Sequence, residues 1–386
     1  EQDGIDPSLL FDVDGRVYLT STGSPPGIYQ SEIDLTTGRC LTPPRLIWRG
    51  TGGRYPEGPH LYHIGGFYYL LISEGGTEYA HRVTLARATS PWGTFEPCPH
   101  NPIFTHMDQP ENPLQATGHA DLVQDQRGNW WMVCLAVRPT QRYFPTHHLG
   151  RETILVPAAW DERKWLVVNS GSPADLVMEA DTLPAQRTQP NTERDDFDHS
   201  VLDFRLNFIR TPDESCWSLR ERPGWLRLRG SGATLNDAAA PTFIGRRQQH
   251  FRCMARVLLD FEPQTANDEA GLTVYQNEDH HYELAIIRED DQRHIVVRQR
   301  IGTLTAVTAR QSLPSGTVTL LIEADTLEYR FAYAGSDHVM HPLATARTRY
   351  LSSEVAGGFT GVYIGMYVYG AAPADFDWFE YCPQVE

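Results

Sequence analysis

Apolar and polar residues alternate along most of this chain in short stretches bounded by Gly, Asp and Asn, and the long three-and-four spacing of amphipathic helices is hard to find. The pattern predicts an all-β protein. Three stretches align with one another without gaps: DPSLLFDVDGRVYL from Asp6, EGPHLYHIGGFYYL from Glu57 and HADLVQDQRGNWWM from His119. In each, a polar residue opens an apolar strand. A glycine-containing turn follows (Asp14-Gly15, Gly65-Gly66, Arg127-Gly128), and the returning strand carries aromatics (Tyr18; Phe67 to Tyr69; Trp130 and Trp131). This is a hairpin with a tight turn. One hairpin unit repeated about every fifty to sixty residues is the signature of a β-propeller blade, a small antiparallel sheet set radially about an axis. The rotation superposes equivalent positions, so Asp6, Glu57 and His119 are expected together at the starts of the innermost strands, facing the axis. Asp12 and Asp14 in DVDG superficially resemble a calcium loop, but the rest of that pattern is absent and a hairpin turn is the expectation.

After KWLVVN (164–169) the pattern changes to a stretch rich in Ser, Pro, Thr and charge, which reads as a linker over 169–195. Beyond it, WLRLRG, HFRCMARVLLDF, AGLTVYQ, HYELAII, HIVVRQR and VTLLIEA alternate at sandwich-like spacing without the blade motif. The predicted organisation is therefore propeller blades over 1–168 and an antiparallel β-sandwich over 196–386.

Composition narrows the functional classes. A length of 386 residues with 40% hydrophobic content is enough for two cores, and a formal net charge of −16 disfavours a surface that tracks nucleic-acid phosphates. A neutral or cationic partner fits better. Lys164 is the sole lysine, so Arg carries nearly all positive charge. No apolar run approaches a membrane span, and no secretion signal or Asn-x-Ser/Thr acceptor is found. A soluble protein is expected, in the cytoplasm rather than secreted. Six cysteines lack CxxC spacing and read as buried free thiols rather than a zinc site or disulfide framework.

Two carboxyls and a histidine converging on one axial pocket suit acid/base work, cation binding, or a mutually hydrogen-bonded polar channel. Glu57 lies between Tyr55-Pro56 and Gly58-Pro59, a rigid segment where a half-buried carboxyl would have its pKa raised and could act as a general acid. DPSLLFDVDGRVYL, EGPHLY, EGGTEYAHRVTLARATSPWGTFEPCPHNPI, QATGHADLVQ and LGRETILVPAAW together resemble glycoside hydrolase family 43, and most closely its β-xylosidase branch. The resemblance covers residues 1 to about 170 and continues through DDFDHSVLDFRLNF and RPGWLRLRG, similar to that branch's appended concanavalin-like β-sandwich. It implies a five-bladed propeller that hydrolyses xylosides and arabinofuranosides with inversion. By motif, Glu57 matches the general acid and Asp6 the auxiliary carboxylate that tunes and orients it. His119 matches a histidine near the axis that contacts substrate or, in some members, faces a structural calcium. Arg151 matches an arginine that grips the sugar in the innermost subsite. No other cofactor is implied. Glu74 and His81 belong to the resembling motif, but no chemistry is assigned to them.

Inversion also requires a general base roughly 6.5 to 9.5 Å from the acid. The family places this carboxylate on its first blade, and no matching stretch precedes Asp6. Only about three blades are accounted for here, and three cannot close a five-bladed ring. The expectation is a companion chain that supplies the N-terminal blades and the catalytic Asp; homo-oligomerisation is left open. The expected activity is exo-hydrolysis that releases terminal β-D-xylose from xylo-oligosaccharides. The alternatives are an α-L-arabinofuranosidase acting on arabinoxylan fragments and, from a different class, a carbohydrate-binding protein without catalysis.

Overall fold

A computed structural model describes residues 2–140, 144–186 and 194–384. The chain forms two compact units: Glu1–Arg142 with Arg151–Gln186, and Tyr143–Gly150 with Arg187–Glu386.

The first unit contains three antiparallel sheets, each a meander built on one of the repeated hairpins. Ile5–Phe11, Val17–Gly23 and Gly27–Asp34 pair in order, and Arg39–Cys40 and Arg45–Trp48 add to the last of them. Glu57–Ile64, Phe67–Glu74 and Arg82–Ala88 form the second sheet, with Glu96–Pro97 and Phe104–Thr105 paired to Arg82–Ala88. Gln115–Gln124, Trp130–Val137, Glu152–Trp160 and Leu166–Val168 form the third. These are blades of a β-propeller. The turns follow their residues. Gly65 and Gly66 both take positive φ between the paired Ile64 and Phe67, as a two-residue hairpin turn requires. In the DVDG turn, Gly15 N–H donates to the Asp12 carbonyl at 3.0 Å and Arg16 N–H to Asp14 Oδ1 at 3.0 Å. The aspartates thus build a turn, as expected. Asp12 also does something the pattern did not disclose: it accepts Tyr68 Oη at 2.6 Å and lies 2.7 Å from His63 Nδ1, fastening the first blade's hairpin to the second blade.

Successive blades bury their apolar faces against each other. Ile28, Leu61, Leu70, Ile72, Ala86 and Phe95 form a core shared by the first and second sheets. Tyr69, Leu71, Leu85, Met132, Val156 and Trp165 belong to a larger one shared by the second and third. Each buried Leu or Val contributes about 1.5–3 kcal/mol relative to exposure.

In the second unit an eight-stranded and a six-stranded antiparallel sheet sandwich a single large core. Cys253–Asp260 alternates strictly between buried and half-buried residues, with Ala255, Val257 and Leu259 fully inside. The opposing sheet contributes Leu272, Val274, Leu284 and Ile286.

The boundaries between units differ from those read off the sequence. Residues 143–150, expected within the propeller, group with the sandwich: Ser353 N–H donates to the His147 carbonyl at 3.1 Å and Val362 N–H to the His148 carbonyl at 2.9 Å. These contacts use backbone carbonyls and so leave no hydrophobic period. Conversely, the first part of the expected linker, 169–186, groups with the propeller unit, where Ala174 is buried and its N–H donates to His106 Nε2 at 3.0 Å. The expected linker residues 187–193 lie outside the described residues. None of the six cysteines forms a disulfide, and four are buried. Among the described residues no helix is long and apolar enough to cross a membrane.

Candidate active site

The first strand of every blade breaks its ladder near its start. Pairing skips from Ile5 to Ser8 in the first, from Glu57 to His60 in the second, and from Gly118 to Asp121 in the third. Such bulges re-aim side chains and bend the strand. Each carries a residue with left-handed backbone: Asp6 at φ 53°, Gly58 at φ 59° and His119 at φ 49°. Two of the three pay for that backbone without being glycine, a strain characteristic of functional positions.

The bulges bring the repeat positions together. Gly58 N–H donates to Asp6 Oδ2 at 3.0 Å, which seats that carboxylate beside Glu57. Ser8 Oγ donates to the Pro59 carbonyl at 2.6 Å, joining the first strands of the first two blades. His119 N–H donates to Ser73 Oγ, and Ser73 is the ladder partner of Glu57. The His119 imidazole lies so close to Gly58 that a β-carbon there would meet the ring at 3.2 Å, a tight contact that, with its left-handed φ, favours glycine at that position.

Glu57 is half-buried. Burial raises its pKa, the negative charge of Asp6 raises it further, and Arg151 acts in the opposite direction. The structure therefore gathers Asp6, Glu57, His119 and Arg151 in one neighbourhood. Arg151 immediately precedes Glu152–Trp160, whose Glu152 is held by Arg138 through two 2.8 Å hydrogen bonds from the adjacent strand.

A second tier was not anticipated. His60 Nδ1 lies 3.7 Å from Asp121, and Tyr62 donates to the same carboxylate. Burial lowers the pKa of His60, opposed by Asp121 and aided by His119. Alternation counted from Glu57 would have put Pro59 on this face; the bulge shifts the count by one, and no residue in EGPHLY announces that. His81 supports the third strand from below. Its Nδ1–H donates to the Ala116 carbonyl at 3.1 Å, and burial lowers its pKa to about 4, so it stays neutral. Gly118 lies against its ring, with room for no β-carbon: one would be 2.4 Å away.

Among the described residues no three or more His, Cys, Asp or Glu side chains converge to hold a metal.

Residues 1–166 match glycosyl hydrolases family 43, and residues 194–382 match the β-xylosidase C-terminal concanavalin A-like domain. The chain belongs to glycosyl hydrolase family 43. It is 42% identical over 383 residues to the non-reducing end α-L-arabinofuranosidase BoGH43B of Bacteroides ovatus, covering 98% of this chain and 72% of that one. It is 35% identical to the xylosidase/arabinosidase of Butyrivibrio fibrisolvens, covering 95% of this chain and 73% of the relative. Among solved structures, the xylan β-1,4-xylosidase of Bacillus halodurans superposes with a TM-score of 0.94 at 33% identity, over 99% of this chain and 77% of that one.

Proposed function

We propose that this family 43 glycoside hydrolase releases terminal β-D-xylose from xylo-oligosaccharides with inversion, and that Glu57 is its general acid. The observation that carries the reading is the environment of Glu57: burial and the Asp6 charge both raise its pKa against Arg151, favouring the protonated carboxyl that a general acid presents to the departing glycosidic oxygen. Asp6 tunes and orients it from the Gly58 amide. Arg151 and His119 hold sugar hydroxyls, Arg151 through its fork of donors.

The α-L-arabinofuranosidase reading has its own support in the 42% identity to BoGH43B. The two are ranked by turnover of a 4-nitrophenyl β-D-xyloside against the matching α-L-arabinofuranoside. The acid role is tested with Glu57→Gln: turnover of a poor leaving group falls roughly 10²–10⁴-fold while an activated aryl glycoside is far less affected. Equal effects on both would remove Glu57 from that role. A purely carbohydrate-binding protein would turn over neither substrate.

Inversion also needs a carboxylate to activate water. In this reading that group belongs to polypeptide packed on the first blade. Support comes from that blade's first strand, where Ile5 and Phe11 are 59% and 64% exposed and Leu9 is 43% exposed, whereas Leu122, the repeat counterpart of Leu9, is 8% exposed beneath its neighbour.

A further inference from the structure

The segment EGGTE, residues 74–78, follows the strand Phe67–Glu74 and is unused by the chemistry above. Glu74 is fully buried, and the donors hydrogen-bonded to its carboxylate are neutral backbone amides and hydroxyls. Its two oxygens accept from the connection 49–56, which leaves the first blade and delivers the chain to Glu57. Oε1 accepts Thr51 N–H at 3.0 Å and Gly53 N–H at 2.8 Å; Oε2 accepts Thr51 Oγ1 at 2.8 Å, with Thr84 Oγ1 also at 2.8 Å. The next residues continue the grip. Gly75 N–H donates to the Arg54 carbonyl at 2.7 Å, and Glu78 pairs with Arg54 at 2.9 Å. Gly76 leaves space for the Tyr55 ring, 3.1 Å from where its β-carbon would be. Tyr55 itself holds a left-handed φ of 51°, rare for a bulky residue, two positions before the acid. A strained backbone keeps one conformation only where its flanks are over-determined, and here the preceding flank is bound to the 74–78 segment while the following one enters the ladder at Glu57. The register reinforces this: Ser73, the residue before Glu74, is the ladder partner of Glu57.

We propose that Glu74 is a positioning residue that fixes the connection 49–56 and thereby the side chain of Glu57 toward the leaving oxygen. The proposal rests on Glu57 being the general acid. Glu74 touches no substrate; it acts by making the approach to Glu57 rigid, because an acid displaced by an ångström loses much of its advantage.

The test compares Glu74→Ala, Glu74→Gln and Gly53→Ala in the whole enzyme, using a 4-nitrophenyl pentoside and the corresponding phenyl pentoside. Glu74→Ala strands the Thr51 and Gly53 amides. Gly53→Ala leaves Glu74 intact but places a β-carbon 2.9 Å from its Oε1 and 2.2 Å from Arg82 Nη2, pushing the connection off its seat. Both are expected to lose roughly tenfold more turnover on the phenyl than on the 4-nitrophenyl substrate. The basic limb of kcat/KM moves to lower pH as Glu57 gains access to water beside Asp6, Arg151 and His119. Glu74→Gln recovers most of the activity: its amide oxygen keeps both backbone donors, and its NH2 faces the Thr51 and Thr84 hydroxyls, which turn to accept. Equal losses on both substrates with an unmoved pH limb, or wild-type behaviour of Glu74→Ala, would overturn the proposal. If Glu74→Ala does not fold, Gly53→Ala decides by the same readouts. Glu57→Gln separates the two ideas: if it too leaves leaving-group dependence unchanged, the acid assignment fails rather than the clamp.

Discussion

At Glu57, burial and the Asp6 charge both raise the carboxyl pKa, and Arg151 acts against them. Arg151→Met removes the opposing charge. It is expected to move the basic limb of kcat/KM to higher pH, because Glu57 keeps its proton longer, while KM rises if Arg151 grips the sugar as proposed. The two effects are separable in one pH-rate series. Much of this site could be read from the sequence, because a gapless repeat puts Asp6, Glu57 and His119 at one position and rotation does the rest. His60 and Asp121 could not be read that way. Their inward placement depends on a bulge whose left-handed residue is aspartate in one blade, glycine in the next and histidine in the third, so no residue type marks it.

The hairpins owe their mutual placement to buried polar contacts as well as to apolar faces. Asp12 is the clearest case, with Tyr68 Oη and His63 Nδ1 both on its carboxylate and only 9% of its surface exposed. Asp12→Ala leaves the Tyr68 hydroxyl buried without that acceptor, which costs about 1–3 kcal/mol. Thermal unfolding is expected to drop by about 2–4 °C per kcal/mol for a unit of this size. Gly118→Ala is a second element-level test: its β-carbon would collide with the His81 ring at 2.4 Å. Overpacking of this kind costs about 1–3 kcal/mol, again read as a lower unfolding temperature. The strands of both units were legible in their alternation. The return of 143–150 to the sandwich was not, because it is held by carbonyls of His147 and His148 and by a 2.7 Å His147–Glu354 pair rather than by a hydrophobic face.

For the molecule as a whole, Ile5, Leu9 and Phe11 form an exposed apolar row on the first blade's first strand, the kind of patch that suits a covering surface. If that row is covered by polypeptide carrying the water-activating carboxylate, as proposed, Leu9→Arg with Phe11→Arg is expected to weaken that packing and lower activity. Native mass measurement of the active species checks this. Full activity in a species of these 386 residues alone would contradict the reading of that face.

The account depends most on Glu57 being an acid tuned by Asp6, and the pH dependence of kcat/KM for Asp6→Asn against the parent enzyme tests that most directly. Removing the Asp6 charge lowers the Glu57 pKa, so the basic limb should move to lower pH while the enzyme remains folded. A limb that stays in place, or moves to higher pH, would contradict it.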